Sequence, residues 1–161
     1  QQHRAKWGRN IMQGTTVKAL ILGFIAGAIA TVTIHEVIKS ALFDAGLIAS
    51  AAWNMEPMET GPFAGVLPKI AGSAFWGGVW GSVLAMILGN LPQGSMTLKG
   101  ILLGIIGPAV AGVFVLVPLL KGGEVFLGGN TTEIGAVLAI LAGWGAVTAW
   151  LYGLFSYGRL P

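Results

Sequence analysis

Three stretches of this chain, 70–91, 101–120 and 134–157, contain no charged side chain, and a fourth, 19–34, has none before His35. An apolar run of roughly eighteen residues or more can cross the hydrocarbon core of a bilayer as a helix. Inside lipid the backbone has no water to bond to, so it must close its hydrogen bonds internally. The fourth run reaches crossing length once His35 and the flanking turns sit at the interface. Composition agrees: 9% of residues are charged, against about 25% in soluble domains. The sequence predicts an all-α, polytopic membrane four-helix bundle, one transmembrane domain over 1–161, with no room for a soluble domain. A basic start before an apolar run also suits a signal peptide, but this run is too long and too glycine-patterned.

Within the first run, Gly23, Gly27, Thr31 and His35 recur every fourth residue, with Ala26 and Ala30 beside them. On a helix they form one ridge. Lipid tails are as apolar as leucine, so helices in a bilayer associate where small residues let backbones approach. The ridge is expected to be a packing face, with His35 at its end. This first helix is expected to continue to about Phe43 and stop at Gly46.

Charge placement gives the orientation. Arg4, Lys6, Arg9, Lys18, Lys99 and Arg159 fall on one side of four crossings, while Lys39, Lys69, Lys121 and all six carboxylates fall on the other. Loops rich in Lys and Arg stay cytoplasmic, so both termini are expected inside. The long outer loop, about 45–67, carries Trp53, Met55, Met58 and Phe63 among prolines and glutamates and is expected to lie along the interface. Pro68 suits the start of the second helix, Ser95 or Thr97 caps the third, and Asn130 with Glu133 resembles a capping box for the fourth. Pro108 should kink the third helix, and Pro118 with Gly122 and Gly123 should close it.

The chain repeats itself. Aligning 18–34 with 99–115 gives seven identities, among them Lys18 with Lys99, Gly23 with Gly104 and Ala28 with Ala109. Trp80-Gly81-x-Val83-x-Ala85 recurs as Trp144-Gly145-x-Val147-x-Ala149, and both halves end alike, at Pro92 and Pro161. The expected architecture is two tandem helical hairpins, about 18–92 and 99–161, related by a pseudo-two-fold axis along the membrane normal. The shared Gly23, Gly81, Gly104 and Gly145 should serve packing, and Gly27, Thr31 and Gly77 are expected on the same faces. The halves differ most at the outer mouth, where His35-Glu36 is replaced by Leu116-Val117.

His35 and Glu36 form an ionisable pair near a helix core, where such groups are candidates for function. At about 1.5 Å per residue from Lys18, His35 stands near the outer edge of the core. A hydrogen bond to another helix or to a partner is favoured over a metal, haem or proton site. Trp76, Trp80, Trp144 and Trp150 lie within the spans, away from the usual interfacial belts. They could stack on a quinone or pigment ring, but an indole beside glycine, its N–H on a hydroxyl or carbonyl, is the plainer reading. Lys18, Lys39 and Lys121 are expected to snorkel. Deep polar groups are few, which argues against a path for charged solutes. The chain has no cysteine, no HExxH and no phosphate loop, so neither catalysis nor a resident cofactor is indicated. Nucleic acid is not an expected partner either, because the basic residues follow membrane topology.

Gly23-x-x-x-Gly27 leading to His35, then Phe75-Trp76-Gly77-Gly78-x-Trp80-Gly81, resembles a family of small four-helix bacterial inner-membrane proteins of uncharacterised function. The resemblance implies a bacterial inner membrane and supplies no activity. The expected role is a structural or accessory subunit of a larger inner-membrane complex. Besides the lipid bilayer, its partners would be other membrane subunits, with a homo-oligomer as the other arrangement. They would meet it at small-residue faces, at the outer loop and at His35, Glu36, Trp53, Trp76, Trp80 or Trp144. An oligomeric channel or carrier for a small neutral solute, or a quinone- or pigment-binding protein, is the alternative.

Overall fold

The first helix, α1, runs over 2–44. It is α-helical over Gln2–Ala30, widens to a π-helical turn over Thr31–His35, and is α-helical again over Glu36–Asp44. In this computed structural model, residues 2–59, 64–91 and 94–157 are described, with side chains from Thr16 onward except those of Lys121 and Tyr157. Phe63, Pro92, Arg159 and Pro161, and the side chains of Arg4, Lys6 and Arg9, lie outside them. Helix α2 is Lys69–Leu88. Helix α3 covers 96–121, with a π-helical middle at Ile105–Leu116, and α4 is Thr131–Tyr157. Four stretches, Thr16–Asp44, Lys69–Leu88, Met96–Leu120 and Thr131–Ser156, are long and apolar enough to cross a membrane, the mark of a multi-pass membrane protein.

The local signals act as their chemistry requires. Gly46 takes a left-handed φ of 71° and donates its N–H to the Phe43 carbonyl, ending α1. Pro68 stands one residue before α2, in extended backbone. The Ser95 hydroxyl accepts from the Leu98 N–H, and the Asn130 side chain accepts from Glu133 at 3.3 Å. Pro108 cannot donate to the helical ladder and clashes with the preceding turn, and it sits inside the π-helical part of α3. Gly122, left-handed, closes α3. Beyond it Phe126 and Leu127 take φ near 51° and 52°, and the Phe126 ring packs on Phe114 at 5.4 Å.

The bundle is two close antiparallel pairs, α1 with α2 and α3 with α4, joined chiefly where α4 lies against α1. In the first pair the backbones touch. A Cβ on Gly27 would overlap the Gly77 carbonyl oxygen, and one on Gly81 would overlap that of Gly23. In the second pair, a Cβ on Gly104 would overlap the Leu141 carbonyl, and Gly100 and Gly145 stand in the same relation to each other. The contacts therefore match Gly23 with Gly100 and Gly27 with Gly104, one helical turn away from the register that best aligns the sequence. Glycines four residues apart look alike after a one-turn slide, and the contacts with Gly81 and Gly145 settle which register is used.

Between the pairs, the Trp144 indole donates to the Gly27 carbonyl at 3.1 Å and to the Thr31 hydroxyl at 2.9 Å. Trp80 reaches the other way and lays its ring against Gly107 and Gly112 of α3. Within the first pair, the Ser82 hydroxyl of α2 donates to the Leu20 carbonyl of α1 at 2.9 Å.

Replacing Gly81 by Ala should lower stability by about 1–3 kcal/mol, because the methyl meets backbone that cannot move aside. The same change at Gly135, which faces open space on α4, should be neutral or stabilising by up to about 1 kcal/mol. Unfolding the two variants by titration with a denaturing detergent measures both signs.

Candidate functional site

The candidate site lies at the end of the bundle that carries Glu36, Asp44 and the 45–68 connection. It begins with the π turn of α1. Thr31 returns its hydroxyl to the Gly27 carbonyl at 2.8 Å, and Thr33 does the same to Ile29 at 2.7 Å. Such back-bonding competes with the backbone ladder, and here the turn widens by one residue. The consequence is a change of face. The buried ridge Gly23, Gly27, Thr31 continues at Glu36, five residues on, and not at His35. Glu36 is 1% exposed, while the His35 side chain keeps 22% of its surface open.

Inward placement of a carboxylate demands donors, and three groups answer. His35 donates from Nδ1 to Glu36 Oε1 at 3.0 Å. The backbone N–H of Trp53 donates to Oε2. Lys39, one turn along α1, holds its ammonium 4.0 Å from the same oxygen. Among the described residues His35 bonds to its neighbour in sequence and not to another helix, and Glu36 makes the contact with a distant segment.

Trp53 fixes the connection at two points. Besides its backbone bond to Glu36, its indole N–H donates to the Val32 carbonyl, inside the π turn, at 3.0 Å. The residue adopts a left-handed φ of 46°, a strained conformation for a non-glycine residue. On the α2 side, the Lys69 and Ile70 N–H groups at the helix start donate to the carbonyls of Glu56 and Asn54. The Lys69 ammonium binds Glu56 at 3.0 Å and Glu59 at 2.7 Å. That ammonium, followed by the Asn54 amide, holds the Glu56 carboxyl below the ordinary carboxylate range.

A partly open polar cavity of about 320 Å³ lies between these elements, lined by Glu36, Lys39, Ser50, Asn54, Lys69 and Ser73. A second hollow of about 80 Å³, between α2 and α3, is apolar and bordered by Trp80, Leu84, Leu103 and Pro108. It is smaller than the roughly 150 Å³ void in which benzene is held.

The remaining sequence candidates are scattered. Gly23, Gly27, Thr31, Gly77, Gly81, Gly104 and Gly145 are taken up by helix contacts inside the protein. Trp144 is buried between α4 and α1, and Trp80 lies between the pairs. Trp76 is 61% exposed and meets the edge of Phe75, so it does not fill space beside a glycine. Lys39, Ser50 and Asn54 were not singled out as site residues by the sequence. Lys39 is not snorkelling, since its side chain is 19% exposed and turned toward Glu36. The available signal was the Glu36–Lys39 spacing, which places the two on one helix face.

Comparison with protein-family models, with curated proteins and with solved structures finds no match to this chain, so the site is read from its own geometry.

Trp53→Phe keeps the ring but removes the bond to Val32 and should speed proteolysis of 47–59 severalfold, without unfolding the spans. Glu36→Ala should cost roughly 1–3 kcal/mol, leaving the Trp53 N–H unpaired. A lowered Glu56 pKa means that its contribution is present above the unfolded value of 4.5 and is lost as pH falls through the lower folded value. Amide exchange in 54–59 should rise over that acidic window, and Lys69→Gln should abolish the step.

Proposed function

We propose that the protein is an accessory subunit of a larger assembly in a bacterial inner membrane. Its two hairpins would be related by a pseudo-two-fold axis along the membrane normal, with both termini cytoplasmic and the candidate site on the outer face. The orientation is supported by the segregation of basic residues, which favours retention of the Arg- and Lys-rich side.

One observation carries the reading of an accessory role. The small-residue faces are already filled by the protein's own helices, yet the site end exposes large apolar side chains beyond the spans. Met55 is 70% and Val66 is 77% exposed, and Val125 and Phe126 are open as well. Inside the spans lipid covers such groups. Beyond them, large exposed apolar side chains are candidates for a contact with another protein. A neighbouring membrane subunit seated over the connection would cover them.

Native mass spectrometry after gentle extraction tests this. The expected result is a stoichiometric heteromer that is lost on the paired change Met55→Glu and Val66→Glu. A lone protomer, a homo-oligomer, or a heteromer indifferent to both changes would overturn the proposal.

A further inference from the structure

We propose that the polar cavity beside Glu36 binds a singly charged phosphodiester, with Lys39 as its principal contact. The inference stands apart from the subunit reading and does not need a protein partner. It starts from an imbalance of donors. The Lys39 side chain is about four-fifths covered, and its ammonium pairs with Glu36 only at 4.0 Å, without a hydrogen bond to the described residues. A largely covered side chain whose charge is paired at that distance, with no acceptor in hydrogen-bond reach, has capacity left for an anion. Its usual escape, extension into water along its own stem, is not the conformation adopted. The side chain instead lines a hollow of about 320 Å³, large enough to admit the missing acceptor.

The other walls favour the same chemistry. Ser50, Asn54 and Ser73 add neutral polar groups to the lining, with one Asn54 amide hydrogen already given to Glu56 and the Ser73 hydroxyl to the Lys69 carbonyl. The charges limit the ligand's own charge. Glu36 forms part of the wall, and the Lys69 ammonium is already shared between Glu56 and Glu59. With three carboxylates nearby, a dianion would be repelled, whereas a monoanion can share Lys39 with Glu36 as a bridging cation. Phosphorylated side chains carry about 1.5 to 2 charges at neutral pH, and phosphate monoesters and inorganic phosphate likewise carry more than one. A phosphodiester carries one.

Depth supplies a further constraint. Lys69 opens the α2 span, and Lys39 lies near the end of the α1 span. The 20 residues of α2 rise about 30 Å, the thickness of a hydrocarbon core. The cavity is therefore level with the phosphates of one leaflet. The diester can come from a lipid headgroup or from a water-soluble glycerophosphodiester, and the test separates the two.

The full chain, stripped of lipid in a neutral detergent, is mixed with phosphatidylglycerol, with glycerophosphoglycerol or with inorganic phosphate, and binding is read by native mass spectrometry. The expected result is one diester bound per protomer, about tenfold weaker retention in Lys39→Gln, retention kept in Lys39→Arg, and no binding of inorganic phosphate. Lys18→Gln, at the opposite end, should match the unaltered protein. Retained phosphatidylglycerol that the soluble diester does not displace identifies a lipid site; displacement identifies a site for free diesters. Equal retention in a folded Lys39→Gln, preference for inorganic phosphate, or no diester on the unaltered protein overturns the proposal. If Lys39→Gln does not fold, the unaltered protein and Lys39→Arg decide the matter by the same criteria.

Discussion

Direct contact between backbones, made possible by missing side chains at Gly27 and Gly81, is the constraint on which the other contacts depend. With no hydrophobic effect to draw helices together in lipid, association rests on van der Waals contact and on interhelical hydrogen bonds. The Gly27 carbonyl serves both. It lies at the α1–α2 contact, and it accepts from the Thr31 hydroxyl and from the Trp144 indole. A side chain at this level would part α1 from α2. It would also disturb the bonds by which the second pair is held to the first.

The same node leads to the chemistry at the end of the bundle. Thr31 ends the regular part of α1, and the wider turn that follows brings Glu36 to the buried ridge. A buried carboxylate then recruits His35, Lys39 and the Trp53 backbone, and Trp53 secures the connection across Val32. Packing, local backbone geometry and charge are thus linked in series. The order runs from a glycine contact, through two threonine hydroxyls, to a polar cavity at one end of the bundle.

Much of this could be read from the chain. The four long apolar helices were legible because charge is excluded from their runs, and the stops at Gly46 and Gly122 and the caps at Ser95 and Asn130 follow from short-range chemistry. The pairing register was not. Gly23, Gly27, Gly100 and Gly104 repeat at the interval of one turn, so a slide of four residues keeps the pattern while changing every contact. The site was legible only in part. Ideal helical periodicity points His35 inward, and no propensity marks the one-residue widening that substitutes Glu36. Lys39 looked like a flank residue because sequence gives its depth but not its direction.

A turn of five residues where four would suffice amounts to a phase shift built into α1. Substitutions away from Thr31 and Thr33 leave that phase untouched and alter one side chain at a time. Gain of a single residue between Thr31 and His35, with the wide turn kept, would rotate everything beyond it by about 100°, exchanging carboxylate for imidazole at the buried point and swinging the lysine away from its cavity. In this helix, length is a chemical variable in its own right.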